Sequence, residues 1–124
     1  MIKGTGIDII EIDRIQSALE KYGDKFLNRI YTKSEIAYCH RRGKVGIPEL
    51  AARFAAKEAL SKALGVGIRS FGRPNFGISW KDVEIASNNR GKPYIIYKEV
   101  ELKNSHLSLS HSRDFAVATV IIEE

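Results

Sequence analysis

The chain opens on a strand-like pattern, passes into helical spacing and returns to strands. Isoleucines stand at positions 7, 9, 10 and 12. On an extended strand alternate side chains share a face, so Asp8 lies with Gly6 and Ile10 while Ile7 and Ile9 point the other way. Neither face reads as wholly wet. A carboxylate among isoleucines loses several kcal/mol of hydration unless a charged or hydrogen-bonding group replaces the water, so Asp8 requires a partner. Near the other end, Val83 and Ile85 alternate with polar neighbours, SNNRGKP supplies turn chemistry, and Tyr94 to Tyr97 resumes an extended run, which predicts a hairpin. His106 to Ser110 and Phe115 to Ile122, joined through HSRD, predict a second.

Between these strands lie helix signals. Asp13 is placed to cap a helix running through Ile15, Ala18 and Leu19 to a stop at Gly23. Asp24 starts a shorter one over Phe26, Leu27 and Ile30, and the Thr32-to-Glu35 spacing is that of a capping box for a helix ending near Gly43. RRGKVGI, from Arg41 to Ile47, is a basic, glycine-containing loop. Pro48 suits the first turn of PELAARFAAKEALSKAL, the clearest helix, which Gly65 ends. The following GVGIRSFGRPNFGISW holds four glycines and a proline and predicts a long irregular segment. Helices gathered early and strands late, with one strand at the start, predict an α+β fold: a mainly antiparallel sheet packed against a long central helix and shorter ones.

At 124 residues the chain fits a single domain spanning 1–124, with neither repeat nor linker. The 44% hydrophobic content is ordinary for a globular protein, and no apolar run reaches membrane-spanning length. Asp8 and Glu11 break the N-terminal apolar stretch, which is not expected to be an export signal. A single cysteine, Cys39, forms no internal bridge and suits a reducing cytoplasm. Residues 1 to 75 carry 14 Lys and Arg against 8 Asp and Glu, whereas residues 76 to 124 carry 6 against 7. A basic first part suggests an anionic partner: nucleic acid, a phosphorylated small molecule or an acidic protein.

On the long helix, Phe54, Glu58, Ser61, Lys62 and Gly65 follow the spacing that places them on one side. Alone, Glu58 and Lys62 are an ordinary exposed i,i+4 pair. Asp8 alters that reading, because a strand carboxylate and a helix carboxylate can converge on one cation if helix packs on strand. No Cys/His group has zinc spacing, and oxygen donors with room for water and phosphate describe a Mg²⁺ site. Lys62 beside it is a phosphate-binding charge, needed because a helix C-terminus disfavours anions. No GxxxxGK(S/T) loop offers the alternative. His106 reads as structural; His111, between two serines and before Arg113, is suited to hydrogen-bond a phosphate or ribose.

GIDIIEIDRI (Gly6 to Ile15), RFAAKEALSKALGVGI (Arg53 to Ile68), GKPYI (Gly91 to Ile95) and LSLSHSRDFAVATVII (Leu107 to Ile122) together resemble the phosphopantetheinyl transferases, in their short bacterial branch. The resemblance spans nearly the whole chain and implies transfer of 4′-phosphopantetheine from coenzyme A to a serine of an acidic apo-acyl carrier protein. The other product is adenosine 3′,5′-bisphosphate, and the setting is fatty acid biosynthesis in the cytoplasm. It also implies a homotrimer, joined through its sheets, with active sites between subunits. Residue by residue, Asp8 and Glu58 match the Mg²⁺ ligands, and Lys62 matches the lysine at the pyrophosphate. His111 matches a coenzyme A contact supplied across the subunit boundary. Arg53, Arg42 and Lys44 match partners for the 3′-phosphate, Ser61 and Gly65 count among the substrate contacts, and Arg14 matches a position that meets the carrier. The Ser70 to Trp80 stretch looks longer than in typical members. Two other readings fit parts of the pattern: a small basic nucleic-acid-binding module, which lacks a helix-turn-helix, zinc-finger or RNP-type pattern and leaves Asp8 unexplained, and a Mg²⁺-dependent phosphohydrolase using the same ligands on water.

Overall fold

The helix stops at Gly23 and Gly65 are used where they stand, and the other boundaries only in part. The computed structural model describes residues 1–69 and 77–124, so most of the Ser70 to Trp80 stretch lies outside the described residues. Strand β1 (Ile2–Glu11) leads into α1 (Ile12–Tyr22), α2 (Asp24–Ile30), α3 (Lys33–Cys39) and α4 (Ile47–Leu64). A 3₁₀ turn (Trp80–Asp82) then introduces β2 (Val83–Ser87), β3 (Pro93–Tyr97), β4 (Val100–Glu101), β5 (Ser105–His111) and β6 (Phe115–Glu123). Gly23 and Gly65 end α1 and α4 at positive φ, and Pro48 sits in the first turn of α4. The Thr32–Glu35 capping box is complete.

Two boundaries differ from expectation. Asp13 does not cap α1: the cap position falls two residues earlier, at Glu11, and the Ile12 amide donates to the Asp114 carbonyl at 2.8 Å, so a neighbouring loop satisfies one of the free donors at the helix start. Asp13 instead lies in the first turn, where the helix dipole favours it. Helix α3 ends at Cys39 rather than near Gly43, because Cys39 turns its carbonyl to the Gly46 amide and the His40 ring bonds the Ile36 carbonyl at 2.8 Å.

The fold is α+β, with its strands divided between two antiparallel three-stranded sheets rather than gathered in one. The larger has the order β1-β6-β5 and the smaller β2-β3-β4, in which the two-residue β4 was too short to leave a sequence signal. Helix α4 packs against β1, β6, β5 and β2, which is why so much of it is buried. Its contact with β1 is close. A Cβ on Gly6 would overlap the Ala59 carbonyl oxygen, and one on Gly4 the Ala63 carbonyl. Glycine in the strand and alanine in the helix thus let backbone meet backbone.

The opposite face of β1 is wetter than its isoleucines suggested. Ile7 and Ile9 are 60% and 63% exposed, and Phe115 and Ile121 of β6 continue the same outward apolar surface. On the other flank of α4, the Lys57 ammonium and the Glu35 carboxylate form an ion pair at 2.7 Å with both side chains fully buried. Burial pushes the Lys57 ammonium below its ordinary value, while the Glu35 charge opposes that shift.

Replacing Gly6 with Ala forces the two backbones apart and is expected to destabilise the protein by about 1–3 kcal/mol, read as a lower urea midpoint at unchanged m-value. An unchanged midpoint would show that the contact has slack.

Candidate active site

Asp8 finds its partner in Lys62. The strand's alternation aims Asp8 at α4 in line with Gly6, and the close approach at that glycine brings the C-terminal half of the helix over it. The Lys62 ammonium donates to Asp8 Oδ1 at 3.1 Å and to the Ile7 carbonyl at 2.9 Å. It thus covers a backbone acceptor on β1, the edge strand of its sheet. The pair is not closed off, since half of the Lys62 side chain remains exposed.

Glu58, one turn earlier on α4, completes the group. Burial, then the nearby Asp8 charge, push its carboxyl above the ordinary value, with Lys62 opposing. Two carboxylates therefore lie close enough across the strand–helix contact to feel each other's charge, with the Lys62 ammonium bonded to Asp8. That is an electrostatically incomplete arrangement: a divalent cation would relieve the repulsion, and the all-oxygen donor set with an open side matches Mg²⁺ chemistry. Among the described residues no group of three or more His, Cys, Asp or Glu side chains could hold a metal, so water or substrate oxygens would have to fill the remaining positions.

The other residues singled out in the sequence take two kinds of position. Ser61 is buried and its hydroxyl donates to the Glu58 carbonyl at 2.6 Å, while Gly65 caps α4, its amide bonded to the Lys62 carbonyl at 3.0 Å. Both shape the end of the helix beside the carboxylates. Arg14 is exposed on α1.

The remaining basic residues gather near the opposite end of α4. Arg53 is buried, its guanidinium over the Tyr38 ring at 4.4 Å, and its Nε has no hydrogen-bond partner among the described residues. A buried cation left so open is suited to an anion. Arg53 and His111 line one cavity of about 410 Å³ together with Lys92 of the GKP turn, and His111 also lines a second of about 640 Å³ with Arg42 and Lys44. Neither Asp8 nor Glu58 lines these cavities. Within one chain the basic residues converge with His111, and the acidic pair converges with Lys62, but the two groups stay apart.

The sequence reading passed over Lys57, Glu35 in its second role, and Trp80. Lys57 stands in FAAKEAL at a position whose neighbours one and two turns away, Leu50, Phe54 and Leu64, are apolar, which is the available sign that it points inward. Cys39 is no hidden nucleophile: burial pushes its thiol up to about 11.

The chain resembles known proteins over its whole length. The profile of the 4′-phosphopantetheinyl transferase superfamily matches residues 4–120. A holo-[acyl-carrier-protein] synthase of Koribacter versatilis is 42% identical over the whole of both chains. Two crystal structures share the fold. One is a holo-(acyl-carrier-protein) synthase from Bacillus anthracis in complex with CoA (3′,5′-ADP), 43% identical, with a TM-score of 0.78 over 99% of this chain and 97% of that one. The other is the Helicobacter pylori holo-[acyl-carrier-protein] synthase in complex with coenzyme A, 32% identical, with a TM-score of 0.79 over 96% and 99%.

The raised Glu58 gives a signed prediction for the metal-free protein. Because folding lifts this carboxyl above its unfolded value, its contribution to stability is fully present at acid pH and is lost as pH rises through the folded value. Glu58→Gln should therefore raise Tm at pH 7 in EDTA, with the gain disappearing at acid pH; a lower Tm at pH 7 would contradict the crowding of the two carboxylates.

Proposed function

The chain belongs to the 4′-phosphopantetheinyl transferase superfamily, in its holo-acyl-carrier-protein synthase family, and from that premise we propose that it moves 4′-phosphopantetheine from coenzyme A to a serine of an apo-acyl carrier protein. The products are holo-acyl carrier protein and adenosine 3′,5′-bisphosphate, and the setting is cytoplasmic fatty acid biosynthesis. The observation that carries this reading is the meeting of Asp8, Glu58 and Lys62 across the β1–α4 contact.

Asp8 and Glu58 would hold Mg²⁺, which when bound supplies positive charge against the pyrophosphate of coenzyme A. The chain's own residues do the rest by positioning and charge neutralisation. Lys62, partly free beside Asp8, takes a pyrophosphate oxygen and offsets the charge that builds on the departing adenosine bisphosphate. The carrier's serine hydroxyl attacks the phosphorus attached to pantetheine; the bond from that phosphorus to the bridging oxygen breaks, and the serine proton passes to water or to a carboxylate of the pair. Arg53, whose guanidinium is buried and incompletely bonded, receives the 3′-phosphate with Arg42 and Lys44 near it. His111 and Lys92 line the space for the nucleotide. Exposed Arg14 on α1 meets the acidic carrier, whose approach the basic first part of the chain steers.

The proposed functional unit, one domain spanning 1–124, is a homotrimer. Supporting this are the outward isoleucines of β1 and the apolar residues of β6 on the same sheet face, a patch of the kind that subunit contacts cover. Such a contact would also bring the His111 end of one subunit toward the acidic pair of another.

Incubation of an apo-carrier with coenzyme A and Mg²⁺ should give a product heavier by one phosphopantetheine in mass spectrometry, and Glu58→Gln should lower kcat by about 100-fold or more with the fold intact; unchanged turnover in that variant would refute the metal assignment. Arg14→Glu should raise the apparent KM for the carrier while leaving that for coenzyme A nearly alone, and equal rises in both would remove Arg14 from carrier docking. Ile7→Lys should convert the trimer to monomer in sedimentation velocity, an outcome that a sheet face free of contacts would not produce.

A further inference from the structure

Lys57 and Glu35 take no part in the arrangement so far, yet they form a buried polar group in which every side-chain polar atom has a partner. The Lys57 ammonium donates to three acceptors from three elements: the Ile30 carbonyl ending α2 at 2.7 Å, Glu35 Oε1 of α3 at 2.7 Å, and the Trp80 carbonyl of the 3₁₀ turn at 3.1 Å. Glu35 is equally engaged, its Oε1 also accepting from the Thr32 amide and its Oε2 from the Ile85 amide of β2, each at 2.8 Å. Every donor of the ammonium has an acceptor, so its direction is fixed.

One of those acceptors belongs to Trp80, whose side chain reaches the stripe of α4 that carries Glu58. The Trp80 indole lies on the Phe54 ring with centroids 4.7 Å apart and planes tilted by 31°. Phe54 is one turn ahead of Glu58 on the same stripe of α4. Trp80 also opens the 3₁₀ turn that leads into β2, held there by the Ser79–Asp82 cap and by Lys57. An apolar residue at 57 would fill the space but would give the Trp80 carbonyl no donor. Replacing buried ion pairs with apolar residues is often neutral for stability, so what such a pair can add is a specified geometry.

We infer that the Lys57–Glu35 pair is a positioning device for the transfer site: it fixes the Trp80 backbone so that the indole and Phe54 form an apolar side wall next to Glu58, along which the pantetheine arm and the carrier's serine approach. The stacking of the two rings one turn from Glu58 is observed, whereas the use of that wall rests on the proposed transfer reaction. Lys57 and Glu35 touch no reacting atom and act through Trp80.

Trp80 is the single tryptophan of the chain, so its emission reports the wall directly. Lys57→Met alone strands a buried carboxylate; Lys57→Met with Glu35→Gln removes both charges and keeps an amide oxygen for the α3 cap or Ile85. In that double variant, folded by circular dichroism, the indole emission should shift to the red and quench more readily with acrylamide. Its kcat/KM for the carrier, at saturating coenzyme A, should fall about 10- to 100-fold. Trp80→Ala should show a similar fall, and combining all three substitutions should add nothing further. Unchanged indole emission, or falls that multiply, would overturn the inference. Should the double variant fail to fold, Trp80→Ala decides alone, since wild-type kcat/KM there leaves the wall no role. If the unaltered protein transfers nothing, the transfer reading fails while the emission result still tests the positioning of Trp80.

Discussion

The contact on which this structure depends is the one at which β1 and α4 touch backbone to backbone. Side chains ordinarily hold a helix about 10 Å from a sheet. Gly4 and Gly6 have none, and the helix presents Ala59 and Ala63 to them, so the separation closes until a single added methyl has nowhere to go. From that closeness the arrangement of the site follows. Asp8, next in line on the same face as Gly6, is carried up to the helix surface; Lys62 can reach past it to the Ile7 carbonyl; and Glu58 feels the Asp8 charge. At an ordinary spacing these groups would belong to two separate surfaces.

Helix α4 carries two acid–base groupings on neighbouring faces, and they are built on opposite terms. Lys57 and Glu35 are sealed from water with every side-chain polar atom bonded, a state that leaves little for a new ligand to satisfy. Asp8, Glu58 and Lys62 carry one positive charge against two negative, in partial contact with solvent, and Glu58 is destabilised in its charged form. The first grouping holds elements together. The second leaves a negative charge unmatched, the condition under which the proposed cation would bind. Adjacent positions, 57 and 58, thus belong to scaffold and proposed site respectively, separated only by the 100° rotation between successive helix residues.

How much was legible in the sequence depended on how local each signal was. The Thr32–Glu35 box, Pro48, Gly23 and Gly65 act within a turn of themselves, and they fixed the start of α3, the course of α4 and the stops at Gly23 and Gly65 as expected. Both hairpins followed from alternation and turn residues. The convergence of Asp8 with the Glu58 stripe was legible as a requirement, since a carboxylate on that strand face had to meet something. What escaped depends on distant chain. The Asp114 carbonyl, not a cap side chain, bonds the first α1 amide. Glu35 has a cap role visible at three residues' distance and an ion-pair role at a separation of 22 that no local pattern encodes. The split into two sheets depends on which strand edges α4 lies across, and Gly6 read as a neutral strand residue until the helix was in place.

The exposed face of β1 also bears on how the two chemical groupings of the proposed reaction could act on one molecule. Arg53 and Lys62 are nine residues apart on α4, roughly 13 Å of helix rise, and His111 lies with the Arg53 end. Strand alternation places Ile7 and Ile9 immediately beside Asp8 in sequence but on the opposite face, each within about one residue's rise of it. A subunit that covered those isoleucines, as in the proposed trimer, could not avoid lying along the rim of the Asp8 site. The same residues that make the lone chain's sheet too apolar for water would therefore bring a neighbour's surface to the open side of the carboxylates. Under that arrangement the period-two pattern of Gly6 to Ile10, with Gly6, Asp8 and Ile10 inward and Ile7 and Ile9 outward, encodes the helix contact and the subunit contact in one strand.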